Sequence, residues 1–131
     1  MVLTRRVLVT SVSVFALLAA EPLDGATLQM GLASWYGDRE EGRRMANGER
    51  FHAAGLTAAS RRLPLGTRVR VTHIGNGRSV VVPITDRGPF VAGRIIDLSL
   101  GAARKLGIEH DGLAYVRVEV VERPEIVARA R

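Results

Sequence analysis

One acid in this 131-residue sequence sits where its type and neighbours could do chemistry. Asp86 closes an apolar run and is followed by Arg87, Gly88, Pro89 and Phe90. A carboxyl group partly withdrawn from water at such a rim can deliver a proton and take one back. The same residues also make an ordinary turn, with Asp86 bonded to backbone amides or paired with Arg87, and residue types alone favour the turn. Asp97, between Ile96 and Leu98, reads as a helix-entry or buried structural acid. Glu49 follows Asn47 and Gly48 and reads as solvated surface. His52, His73 and His110 are scattered without an i, i+4 pair, so no metal site and no cofactor is expected. His73 shares the strand parity of Val69 and Val71 and reads as a buried, hydrogen-bonded histidine. There is no serine elbow and no phosphate-cradling loop, because Gly75-Asn76-Gly77 joins two strands instead of opening a helix. The absence of cysteine excludes disulfides, thiolate zinc sites and redox pairs.

The elements that must hold these acids are mostly strands. Val69 and Val71 alternate with Arg68, Arg70 and Thr72, which predicts a strand over 67–74 with one wet face. The apolar run 78–85 follows the Gly-Asn-Gly turn, so the two form a hairpin, and Pro83 puts that end at an edge or a bulge. Val116, Val118 and Val120 repeat the alternation over 114–121. Shorter strands are expected at 32–36, 56–60 and 94–96, and six short strands point to an all-β barrel. One helix interrupts them, capped by Ser99, apolar at Ala102, Ala103 and Leu106, and stopped by Gly107, to plug one barrel end. Residues 38–48 read as a long polar surface loop, and Phe51 and Phe90 as core.

Residues 1–20 read as an export signal: Arg5 and Arg6, then an uncharged run over 7–20 that is short for a bilayer span. Cleavage is expected between residues 20 and 26, leaving a domain over 27–122 and a tail over 123–131. A cut after Ala20 removes Arg5 and Arg6 and no acid, so 19 basic residues become 17 against 13 acidic, and the net charge falls from +6 to +4. No more than two basic residues are consecutive, which argues against nucleic-acid binding.

Several motifs, in order, resemble the rare lipoprotein A family. They are Gly31-Leu32-Ala33-Ser34-Trp35-Tyr36-Gly37, Ala46-Asn47-Gly48-Glu49-Arg50-Phe51, Leu56-Thr57-Ala58-Ala59, Leu63-Pro64-Leu65-Gly66-Thr67 and Asn76-Gly77-Arg78-Ser79. Thr85-Asp86-Arg87-Gly88-Pro89-Phe90 and Gly93-Arg94-Ile95-Ile96-Asp97-Leu98-Ser99 complete the set. The resemblance implies a six-stranded double-psi β-barrel with one short helix, related to barwin and expansin domains. It implies a septal-ring type of lytic transglycosylase that acts on peptidoglycan and prefers glycan strands stripped of peptide. Such an enzyme cleaves the bond from N-acetylmuramic acid to N-acetylglucosamine without water and leaves a 1,6-anhydro end, so one carboxyl group can serve as acid and then base. Asp86 matches the family's acid in its Asp-Arg-Gly-Pro motif and Glu49 the acid of its Asn-Gly-Glu motif. Trp35 and Tyr36 then offer faces to sugar rings, and Asn47 and Arg87 bind polar substituents.

Two positions depart from the family pattern. Asp usually follows the Arg-Phe pair and His usually follows Thr-Ala-Ala, whereas here those positions hold His52 and Ser60. A rearranged His52–Ser60 pair keeps both in the catalytic set with Asp86 and Glu49; the alternative is a noncatalytic glycan-binding barrel. With no cysteine to carry a lipid, the expected form is a soluble monomer, periplasmic or secreted, with no membrane span once the signal is removed.

Overall fold

The computed structural model describes residues 28–124. The expected signal at 1–20, with its cut between 20 and 26, and the tail from residue 125 lie outside them. Six strands close into a barrel: β1 (Leu28–Tyr36), β2 (Ala58–Ala59), β3 (Arg68–His73), β4 (Ser79–Asp86), β5 (Arg94–Ser99) and β6 (Ala114–Glu122). Around the barrel the order is β1, β5, β2, β4, β3, β6. β1 runs parallel to β5 and β2 parallel to β4; the remaining pairs are antiparallel.

The alternation in sequence is the alternation in space. Val69 and Val71 of β3 and Ala114, Val116 and Val118 of β6 point inward and are buried, and Arg68, Arg70, Tyr115 and Arg117 point outward. The interior is filled by Ile84, Ile96, Leu98 and Ile108 as well, each fully buried and worth roughly 1.5–3 kcal/mol in removal from water. The β3–β4 hairpin forms with Val71 opposite Val80. A closed barrel has no free edge for Pro83. Instead, that end of β4 carries a register irregularity, the other expected outcome, with Ala58 opposite Ile84 and Ala59 opposite Asp86. Ile84 N–H donates to Thr67 O at 2.8 Å, so the adjacent Pro83 nitrogen faces the other side, where the two-residue β2 begins only at Ala58.

The helix α1 (Leu100–Leu106) packs on β4, β5 and β1 and buries Ala102, Ala103 and Leu106. Ser99 Oγ accepts from Ala102 N, and Gly107 closes the helix at φ 78°, a left-handed conformation that glycine adopts without penalty. Gly101 is needed for a different reason: a Cβ there would lie 2.5 Å from the carbonyl oxygens of Ala54 and Gly55.

Three sequence expectations are corrected. The segment 38–48 is not a plain surface loop, because Asp38–Glu40 forms a 3-10 turn and Met45 joins Phe51 and Ala53 in a small second core with Tyr36 and Leu100. Phe90 is 77% exposed and so is not core, unlike the fully buried Phe51. His73 is hydrogen-bonded but only half-buried; its Nδ1 accepts from Gly75 N at 2.9 Å and thereby tightens the hairpin turn.

Candidate active site

Asp86 is the last residue of β4, buried at 7% exposure, and its carboxylate is fixed from two segments far apart in sequence. Oδ1 accepts from the backbone N–H of Ala46 and of Arg87, each at 2.9 Å, and Oδ2 lies 3.5 Å from Arg43 Nη2. The small lobe delivers Ala46 because it is stitched to the strand end: Asn47 N donates to Thr85 O at 3.1 Å. Within that lobe Met45 N donates to Glu49 O and Phe51 N to Arg43 O, giving it a hairpin's rigidity. Ser60 N, just past β2, donates to Asp86 O at 3.0 Å.

Around Asp86 is a recess of about 170 Å³ whose lining includes Tyr36, Glu40, Arg43, Arg87 and Asp97. Asp97 enters it because β1 and β5 are parallel neighbours in register, which sets Ser34 beside Asp97 and lets the Ser34 hydroxyl donate to the Asp97 carboxylate. Burial pushes the Asp97 carboxyl above its usual range, against the pull of the Ser34 hydrogen bond and of Arg94; the negative charge of Asp86 adds to the rise. Tyr36 stacks on Phe51 with ring centroids 4.6 Å apart. Burial, then the charges of Asp86 and Asp97, drive its hydroxyl well above the ordinary phenol range, so it stays a neutral donor. The Tyr36 hydroxyl and the Trp35 indole N–H have no protein partner among the described residues. Tyr36 and Glu40 also border an adjoining groove of about 390 Å³ walled by Trp35 and Leu100. Among the described residues no group of three or more His, Asp or Glu side chains is arranged to hold a metal ion.

The structure thus brings together Asp86, Tyr36 and Arg87 from the sequence reading, with Trp35 in the groove beside them. Arg87 is committed in part to structure, since Nη1 donates to Ser60 O at 2.9 Å and to Leu63 O at 2.6 Å. Glu49 and Asn47 lie on the lobe that clamps Asp86 but outside the recess lining; they bond to each other, Asn47 Nδ2 to Glu49 Oε1 at 3.2 Å and Glu49 N to Asn47 Oδ1 at 2.9 Å. The His52–Ser60 pair does not form. His52 Nδ1 is 3.0 Å from Glu41 Oε2, and Ser60 Oγ accepts from Arg62 N and Leu63 N. Glu41 in turn accepts from Ala53 N, and that bond, with His52, holds its carboxyl below the usual range. Asp97, read from the sequence as a helix-entry or buried structural acid, is hydrogen-bonded to Ser34 and also lines the recess beside Asp86. Strand parity carries the signal: Ile95 and Asp97 are half-buried and alternate with the buried Ile96 and Leu98.

Known proteins resemble this chain in sequence and in fold. A protein from Synechocystis named "Probable endolytic peptidoglycan transglycosylase RlpA" is 60% identical over 92 residues, which cover 70% of this chain and 29% of that protein. The Pseudomonas aeruginosa protein named "Endolytic peptidoglycan transglycosylase RlpA" is 50% identical over 93 residues, 71% of this chain and 27% of its own length. The chain therefore spans less than a third of the length of these two relatives. Among solved structures, the Streptomyces papain inhibitor superposes with a TM-score of 0.60 at 26% identity, covering 72% of this chain and 94% of the inhibitor. An expansin from Clavibacter michiganensis gives 0.59 at 23% identity, covering 76% of this chain and 52% of that one, and bears on the fold alone. The closed six-stranded barrel is the double-psi β-barrel that the motifs implied. With residues 28–118 matched by the model for the lytic transglycolase family, the chain belongs to that family.

Proposed function

We propose that this barrel is an endolytic peptidoglycan lytic transglycosylase, with Asp86 as general acid and then base. The observation that carries the reading is the fixed, buried Asp86 carboxylate facing an open recess that continues into an aromatic-walled groove. A glycan strand lying in the groove puts sugar faces on Trp35 and Tyr36 and a glycosidic oxygen at Asp86. Protonated Asp86 gives its proton to the oxygen leaving C1 of N-acetylmuramic acid. The same carboxylate then takes the proton of the muramoyl 6-hydroxyl, whose oxygen bonds to C1 and closes the 1,6-anhydro ring. No water is consumed, and Asp86 ends as it began, protonated.

Burial raises the Asp97 carboxyl above its ordinary value, and the neighbouring Asp86 adds to the rise, so a second negative charge in the recess is disfavoured. Neutral Tyr36 can donate a hydrogen bond to a sugar oxygen. Glu49 and Asn47 meet the strand from the lobe, and Arg87 offers its remaining N–H groups to a substituent. The protein is exported on the leader-like residues 1–20 and works as a monomer in the periplasm or outside the cell, on strands stripped of peptide.

The second reading is a glycan-binding barrel without activity. It is favoured by the engagement of His52 with Glu41 and of Ser60 with turn amides, which leaves neither side chain in the recess. Incubation of the chain with peptide-stripped sacculi, followed by mass analysis of the soluble fragments, separates the two. The enzyme yields 1,6-anhydro ends; a protein that binds sacculi and releases no anhydro product is the binding barrel.

A further inference from the structure

A second recess, of about 160 Å³, lies beside the first and is lined by Gln29, Ser60, Arg61, Arg62 and Ile95. The two are neighbours along the chain and along β5: Ala59, the last residue of β2, lines one and the next residue, Ser60, the other, and Asp97 and Ile95 are two residues apart on β5, about 7 Å at strand rise. Their charges are opposite in character. The first holds three acids, Glu40, Asp86 and Asp97, with two arginines, whereas no acid lines the second. Among the described residues the guanidinium groups of Arg61 and Arg62 have no ion-pair or hydrogen-bond partner.

The turn that presents these arginines is held rigid before any ligand arrives. Ser60 Oγ accepts from Arg62 N at 3.2 Å and Leu63 N at 3.1 Å, and Arg87 ties down the carbonyls of Ser60 and Leu63. Ser60, a departure from the family pattern, thus serves the turn that carries Arg61 and Arg62. Two guanidinium forks on a fixed turn match a carboxylate, which each can bind through paired N–H donors. The glycan of the proposed reaction carries such a group: the lactyl arm of each N-acetylmuramic acid ends in a free carboxylate when peptide is absent and in an amide when peptide is attached.

We propose that the Arg61–Arg62 recess is a carboxylate subsite that binds the lactyl group of a muramoyl residue in the bound strand, so that the barrel itself selects stripped glycan. The proposal rests on the glycan-cleaving reading of the adjoining recess. Free stem-peptide carboxylates offer the same chemistry from further out, and the test includes them.

The experiment measures binding by the Asp86→Asn chain, which holds glycan without cutting it, with and without Arg61→Gln plus Arg62→Gln. The probes are stripped glycan strands, the same strands with lactyl carboxylates converted to primary amides, and strands that retain their stem peptides. Both arginines are exposed, so the variant keeps its melting temperature, which is checked alongside. The expected result is about tenfold weaker binding of stripped strands by the double variant, with amidated strands bound equally by both proteins. Equal affinity of the parent for stripped and amidated strands overturns the subsite, and tightest arginine-dependent binding of stem-bearing strands overturns the lactyl assignment. Arginine-dependent capture of stripped strands, in a wild-type chain that releases no 1,6-anhydro product, leaves the subsite standing and removes the enzymatic reading instead.

Discussion

The recess at the ends of β4 and β5 and the surface of the small lobe both present acids, and the two regions hold them in opposite ways. Asp86 takes hydrogen bonds from Ala46, forty residues away in sequence, and from Arg87, with Arg43 close by. Asp97 is bonded by Ser34 across a parallel strand pair. On the lobe, Glu49 finds its side-chain partner two residues away in Asn47, and His52 pairs with Glu41 at the surface. Long-range backbone anchors fix an acid relative to the barrel and so relative to a bound strand. Local, exposed pairs fix a side chain only to its own loop and contribute little when broken.

The largest expected effect of testing this contrast is Asp86→Asn. The amide oxygen still accepts from Ala46 N and Arg87 N, so the barrel survives, while release of anhydro fragments falls by about a thousandfold or more. Asp97→Asn comes next, with a fall of about a hundredfold, since it alters the proton inventory of the same recess. Glu49→Gln lowers turnover about tenfold, as for the loss of one polar contact to substrate. His52→Ala changes turnover by less than about twofold, because an exposed pair with Glu41 is all that it removes. Rates on stripped glycan for the four variants give the order, and a loss at His52 equal to that at Asp86 would erase the distinction between the regions.

Asp97 also sharpens the comparison through stability. Its folded-state carboxyl titrates above the ordinary value of 3.8, chiefly through burial. The protonated form is therefore favoured by folding. The group's stabilising contribution is complete below the unfolded value and is lost as pH rises through the folded one. Asn cannot ionise and can still accept from Ser34. Urea unfolding of Asp97→Asn is expected to show a higher midpoint than wild type at pH 7, with the gap closing below about pH 3.8.

Much of the barrel was legible in the sequence because it is built from local periodicity. The Val-Arg-Val alternation of β3, the Gly-Asn-Gly turn and the Ser99 and Gly107 ends of α1 each follow from residues within a few positions of one another. The site was legible in part. Asp86 stands out at a strand end and its bond from Arg87 N is local, but its other partners come from Ala46 and Arg43, and no local pattern announces that a polar segment folds around Met45 and Phe51. The place of Asp97 in the recess is not legible locally, because its partnership with Ser34, sixty-three residues away in the chain, depends on the parallel pairing of β1 and β5. The expected His52–Ser60 pair failed because each finds a nearer partner: Glu41 for His52, and the amides of its own turn for Ser60. Phe90 is apolar yet exposed, since the chain leaves the barrel at Asp86 and residues 90–93 are exposed.

The central claim is that the glycosidic bond is broken at Asp86, in the recess and not on the lobe. A crystal structure of the Asp86→Asn chain with a peptide-free muramoyl tetrasaccharide tests it most directly. The account predicts a glycosidic oxygen within about 2.6–3.2 Å of the residue 86 side chain, with a sugar face against Tyr36. A strand lying across Glu49 and His52, with every glycosidic oxygen out of reach of residue 86, would contradict it.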